Sequence, residues 1–257
     1  MHAATIKKMI APIRKKQRRY GTEKLYLDLV PQLKKNNIKM GRDKFFTFCR
    51  QHQLLVPRTK RSFITTDSKH FFFRSPNLVR DLIPTHAEQV FVCDITYIKL
   101  PDRYVYLSLV TDLYSKKIMG YKLDDNMKVS MVKEALTMAL KNCKYGRSSI
   151  IHHSDRGIQY CCPDYANFAE HNGLRLSTTE HADPYENAVA ERINGILKYE
   201  FGLVQTIPDL LTAHKMVKEA IEIYNKERRH RSLNMQTPEY AHNNQSHEYR
   251  FWKKMSA

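Results

Sequence analysis

Three runs rich in β-branched and aromatic residues, Val90–Leu100, Tyr104–Thr111 and Lys117–Leu123, follow one another with only Pro101–Arg103 and Asp112–Lys116 between them. Links that short cannot carry a chain across a sheet, so the runs must pair as antiparallel neighbours. Then the period changes. Val129, Val132, Leu136 and Leu140 fall on one side of a helix over about 128–142. Ser149–His153 reads as a short strand, Pro163–His171 as a helix and Leu174–Ser177 as another strand. Two long helices close the pattern, near 184–201 and 208–230. The order is that of an α/β domain.

The part before residue 87 has a different character. Of the 43 Lys and Arg in the 257-residue chain, 20 lie in residues 1–80, with only 4 of the 26 Asp and Glu. The net charge of +17 is therefore almost wholly N-terminal, and so much like charge repels itself unless a polyanion neutralises it. Residues 1–56 read as a basic helical domain. Arg14–Arg19 form a charged run, Thr22 is placed to cap a helix, and Leu25, Leu29 and Leu33 follow at helical spacing. Pro31 is expected to kink or interrupt that helix. A second helix over about 42–53 buries Phe45, Phe48 and Cys49 and turns Lys44, Thr47, Arg50 and Gln51 outward. Helix, turn and a helix with a basic polar face is the outline of a helix-turn-helix DNA reader, with Lys44 and Arg50 as its candidate DNA contacts. Residues 57–86, with Pro57, Pro76 and Pro84, read as a linker whose Phe71–Phe73 dock it onto a core. The catalytic body then spans 87–240 and a tail 241–257.

Composition excludes several classes. Five cysteines, with Cys161 and Cys162 adjacent, suit neither a disulfide framework nor a zinc knuckle, and His152 and His153 stand at no familiar ligand spacing from them. Lys7 and Lys8 have no apolar stretch behind them, and no run is long enough to cross a bilayer. A cytoplasmic, nucleoid-associated protein with no membrane partner is expected.

Three carboxylates stand in separate contexts: Asp94 in a β-patterned run, Asp155 just past a strand, Glu191 on a helix. Alone, each has an ordinary explanation, respectively a sheet-edge residue, a turn and a solvated helix position. Brought together, they form the hard oxygen set that Mg²⁺ takes alongside substrate phosphates. On its helix Glu191 shares a polar strip with Asn187, Asn194 and Lys198, while Val189, Ile193, Ile196 and Leu197 lie largely opposite. That strip is suited to follow a DNA strand, with Lys198 on a phosphate.

Residues 88–238 resemble the integrase core of the retroviral-integrase superfamily, and most closely the second-reading-frame transposases of the insertion-sequence three family. His153–Gly157 matches the family's second motif, and 35 residues separate Asp155 from Glu191, as the family requires. Asn187, Glu191, Leu197 and Lys198 match the third motif. Tyr224, Asn225, Arg228, His230, Leu233 and Pro238 match the closing signature, while 18–29 and 41–46 resemble the helical N-terminal part. Phe91 stands where the family often has Trp, and Glu186 where it commonly has Asp. The resemblance implies a ribonuclease H-like fold, with a mixed five-stranded sheet flanked by helices.

It also implies a DDE transposase that cuts and joins double-stranded DNA at terminal inverted repeats and target. Asp94, Asp155 and Glu191 would hold two Mg²⁺ ions, with Mn²⁺ as substitute. Arg156, Asn187, Asn194 and Lys198 are expected against DNA, and Arg228 and His230, near a helix end, either on a phosphate or paired with the C-terminal helix dipole. The metals would activate the attacking oxygen and stabilise the leaving one. The working form would be a homo-oligomer on DNA, possibly joined to the upstream-frame product by frameshifting. A ribonuclease H-like nuclease that cuts without joining, and a non-catalytic DNA-binding regulator, are the alternatives.

Overall fold

The computed structural model describes residues 2–57, 75–146, 149–180 and 187–245. Phe71–Phe73, Glu186 and the end of the expected tail lie outside them. The chain divides into two compact units, a helical one built mainly from the first 64 residues and an α/β one that holds the sheet.

The helical unit comprises α1 (Ala3–Lys16), α2 (Thr22–Lys35) and α3 (Arg42–Gln51). Leu25, Leu29 and Leu33 form its centre with Ile6, Ile10, Tyr20, Phe45, Phe48 and Cys49, so the expected apolar faces are the buried ones. Lys44, Thr47, Arg50 and Gln51 are exposed on the other face of α3. Two details differ from expectation. Gly21, not Thr22, is the cap of α2, and Thr22 is the first helical residue with its side chain buried. Pro31 does not interrupt α2, which runs on to Lys35. An interior proline costs about 3 kcal/mol; here Leu29 and Leu33 are both buried on either side of it, and their packing offsets that loss.

The α/β unit is built on five strands, β1 (Val90–Lys99), β2 (Tyr104–Asp112), β3 (Ile118–Asp124), β4 (Ile151–Ser154) and β5 (Arg175–Thr178). Their order in the sheet is β3-β2-β1-β4-β5. The first three are antiparallel, while β4 and β5 join parallel to β1, giving the mixed sheet expected. The helices are α4 (Val129–Lys141), α5 (Ile158–Cys161), α6 (Pro163–His171), α7 (Ala188–Glu200), α8 (Leu210–Lys226) and α9 (Pro238–Asn244).

Alternation along β1 divides the core. Phe91 and Cys93 face the side covered by α4 and α6, in a cluster with Val110, Met119, Val132, Leu136 and Tyr165. Val90 and Val92 face the other side, where Ala190 of α7 packs with Leu78, Val79 and Leu82. The second half of the expected linker is thus part of this unit. Gly120 lets α4 lie close on β3, because a Cβ there would run into the Ala135 carbonyl and the Ala139 amide.

The expected tail boundary also shifts, since α9 runs through it. His242 is fully buried, with Nε2 3.1 Å from Glu88 Oε1 and Nδ1 3.1 Å from Ser115 Oγ. Asp112, buried below, accepts hydrogen bonds from the Glu88 and Ser115 amides at 2.8 Å. All five cysteines are free thiols. No helix among the described residues is long and apolar enough to cross a membrane.

Candidate active site

Parallel pairing places two of the three carboxylates. Cys93 of β1 is in register with Ser154 of β4, so the next residues, Asp94 and Asp155, emerge side by side from neighbouring strands. Asp94 lies on the Val90 and Val92 face, beneath α7. Glu191 comes from the first turn of that helix and is exposed. The three are near enough for Asp155 and Glu191 both to act on Asp94. Loss of hydration, then the Asp155 charge, and to a smaller extent Glu191, push the Asp94 carboxyl from 3.8 up to about 8, against hydrogen bonds from Asn194 and the Ile95 amide.

Among the described residues no three of His, Cys, Asp and Glu close into a preformed ligand cluster. The donor set nevertheless fits a hard divalent cation, because it is all carboxylate and its mutual repulsion is what a cation relieves. Burial pulls His152 down to about 3, so its ring is neutral, and its Nε2 lies 2.7 Å from the Tyr165 hydroxyl. His153 is fully buried, with Nδ1 2.9 Å from Ser177 Oγ.

Asp155 opens a tight turn. Its Oδ1 accepts from the Gly157 amide at 3.0 Å, and a Cβ on Gly157 would stand 3.0 Å from that same oxygen. Arg156 gives its Nε to the Thr179 carbonyl at 2.7 Å, bracing the turn against the end of β5. Arg156 thus has a role in loop geometry, and it stays partly exposed.

Four other expected DNA contacts are inside the protein. Asn187 and Asn194 are each 6% exposed. Asn187 Nδ2 donates to the Cys93 carbonyl at 3.0 Å, and Asn194 Nδ2 donates to Asp94 Oδ2 at 2.7 Å. Only the two amides of the expected polar strip, Asn187 just before α7 and Asn194 on it, face the sheet and grip β1. Arg228 is 2% exposed; its Nη1 is 2.8 Å from His230 Nε2, and His230 packs edge-on against Tyr224. These internal partners hold Arg228 and His230 in the turn after α8. Lys198, seven residues beyond Glu191, is half-buried on α7. Lys44 and Arg50 alone keep the full exposure expected of DNA contacts.

Sequence reasoning missed the short α5, the brace from Arg156 and the polar network around His242. The seven-residue spacing of Asn187 and Asn194 was a visible signal, but spacing does not say which way a helix face points.

Comparison with known proteins agrees with this architecture. The integrase core domain family matches residues 84–184, and a second integrase core domain family matches 172–238. The insertion element IS600 uncharacterized 31 kDa protein of Shigella sonnei is 34% identical over 221 residues, 85% of this chain and 79% of that protein. The transposase InsF for insertion sequence IS3A of Escherichia coli K12 is 30% identical over 194 residues, 75% of this chain and 65% of the relative. Among solved structures, the simian T-cell lymphotropic virus intasome in complex with the PP2A regulatory subunit B56 gamma has a chain that matches with a TM-score of 0.54. At 17% identity, with 92% of this chain and 76% of that one covered, it shares the fold.

Proposed function

The chain belongs to the integrase-core transposases of insertion sequences, of the IS3 type, and from that footing we propose how its residues cut and join DNA. Asp94, Asp155 and Glu191 are the catalytic carboxylates. The observation that carries this reading is the Asp94 carboxyl, driven up to about 8 on a sheet face with Asp155 and Glu191 close by. Such a group is at rest only as the neutral acid or beside a cation.

The three carboxylates would hold two divalent ions, Mg²⁺ or in its place Mn²⁺. Bound there, the ions would supply the positive charge that activates the incoming oxygen and stabilises the outgoing one. Water attacks at an element end and a 3′-hydroxyl leaves; that hydroxyl then attacks a second phosphodiester, whose own 3′-oxygen leaves in turn, so no covalent enzyme intermediate is needed. Asp94 and Asp155 are presented by paired strands and Glu191 by a packed helix, which keeps the set rigid as the DNA changes.

DNA is held elsewhere by charge. Lys44 and Arg50 on α3 reach the terminal repeats, and Lys198 reaches a phosphate near the end being processed. We infer a homo-oligomer on DNA, because two element ends must be joined in one event, and a working form that can include the upstream-frame product.

The test is incubation with DNA carrying the flanking repeat in Mg²⁺ or Mn²⁺, beside Glu191→Gln. Joined products from the wild type and none from the variant are expected. Cleavage without joining would favour a nuclease, and binding with neither product, even with the upstream frame fused, would favour a regulator.

A further inference from the structure

Asp94 is held by two donors. Its Oδ1 accepts from the Ile95 amide at 2.9 Å and its Oδ2 from Asn194 Nδ2 at 2.7 Å. The first bond is local to β1 and goes wherever the strand goes. The second crosses to α7, where Asn194 stands three residues after Glu191 and so on a neighbouring part of the helix surface.

Asn194 is an expensive choice for that position. It is 6% exposed, and its Oδ1 has no hydrogen-bond partner among the described residues. An unmet buried acceptor weakens a fold, and an apolar side chain of the same size would avoid it. Selection for stability alone does not place an amide there. Asn187 supplies the contrast. It sits one turn before Glu191, is equally buried and likewise leaves its Oδ1 unmet, but its amide grips the Cys93 carbonyl and no carboxylate.

We propose that Asn194 is a positioning residue for Asp94. Its amide fixes the rotamer of the carboxylate. Because it rides on the helix that carries Glu191, it also sets the relation between the two carboxylates that receive a divalent cation. The inference rests on the metal-binding reading of the site given above.

The experiment measures cation binding directly, with no DNA and no turnover. Mn²⁺ is titrated into the full chain, and free Mn²⁺ is counted from its electron paramagnetic resonance signal. Thermal unfolding is followed in parallel with chelator present. Asn194→Leu removes the donor at nearly constant volume. It is expected to weaken Mn²⁺ binding by about tenfold or more, the usual effect of losing a partner that orients a ligand, while the metal-free protein unfolds no earlier than wild type. Asn194→Gln, which keeps a donor, is expected to recover part of the affinity. Asn187→Leu is expected to leave Mn²⁺ binding close to wild type.

Wild-type affinity in Asn194→Leu overturns the proposal. So does an equal loss in Asn187→Leu, which would make docking of α7 in general the cause. If Asn194→Leu does not fold, Asn194→Ala is read in the same way. If Asp94→Asn binds Mn²⁺ as the wild type does, the metal-site reading itself fails and takes this inference with it.

Discussion

Asn225 and Ile118 are joined as strand neighbours are, although one of them is a helix side chain. Asn225 Oδ1 accepts from the Ile118 amide at 3.0 Å and its Nδ2 donates to the Ile118 carbonyl at 2.9 Å. The side chain of α8 thereby completes the start of β3, with the Tyr224 hydroxyl donating to the Lys116 carbonyl beside it at 2.8 Å. Replacing Asn225 with Ala leaves two buried backbone groups unmet, so a loss of roughly 2 to 4 kcal/mol is expected in denaturant unfolding. Asn225→Asp keeps the acceptor but sets a carboxylate against a carbonyl, and should be no milder.

Gly120→Ala should destabilise the α/β unit by about 1 to 3 kcal/mol or more, because α4 must move off β3 to admit the new methyl group. Gly195, where an added Cβ meets nothing within 4 Å, is the matched control on α7. There the same substitution should stabilise slightly, since alanine is the better helix former. Equal losses at both sites would contradict the close contact at Gly120.

The raised Asp94 carboxyl gives stability a definite pH dependence in the absence of metal. Below pH 3.8 the group is protonated in both folded and unfolded chains and has no effect. Between 3.8 and about 8 the folded chain keeps the proton and the unfolded chain loses it, so stability falls as pH rises, and above that range the loss is complete. Chemical unfolding in chelator should show this decline between roughly pH 4 and pH 8. Asp94→Asn should flatten it, and Mg²⁺ should restore stability at pH 8 to the wild type but not to the variant.

Asp155→Asn should act through the same charges. Removing the largest electrostatic contribution to the Asp94 shift lets Asp94 ionise at lower pH, so the metal-free variant should be more stable than wild type near pH 7. Strand transfer should vanish at the same time. A protein made more stable and inactive by one substitution is the signature of a site whose strain is functional.

Lys44→Ala and Arg50→Ala should leave folding unchanged, since both side chains are exposed. If each meets a phosphate, binding of duplex DNA should weaken, and each change should lower the slope of log affinity against log salt by about 0.9. Arg228→Ala should do the opposite, lowering stability with little effect on that slope, because its guanidinium lies inside against His230.

What could be read from the sequence divides along physical lines. The long β runs kept their places to within a residue or so, from Val90 and from Tyr104, because ten and nine residues of β-branched and aromatic pattern outvote local ambiguity. Pro163 announced α6, whose bounds are those expected, since proline is favoured at a first helical turn. The four residues of α5 are too few to carry a period. The seven of α9 are mostly polar, and His242 is buried by pairing with carboxylates, a partnership no hydropathy pattern reveals. The three carboxylates were legible through spacing and neighbouring motif. The facing of Asn187, Asn194 and Arg228 was not, because a polar residue against a hydrogen-bonding strand and one against water look alike in a sequence.

Glu88 and His242 meet across 154 residues of chain. Glu88 lies two residues before the strand that carries Asp94, yet the imidazole beside it is among the last described residues to be made. A ribosome therefore releases the whole catalytic sheet while two buried carboxylates at its foot, Glu88 and Asp112, still lack their closing partner. A message cut short before residue 238 would yield Asp94, Asp155 and Glu191 on an unfinished foundation. The foot of the sheet is therefore closed by nearly the last of the described residues, long after the strands it supports have been made.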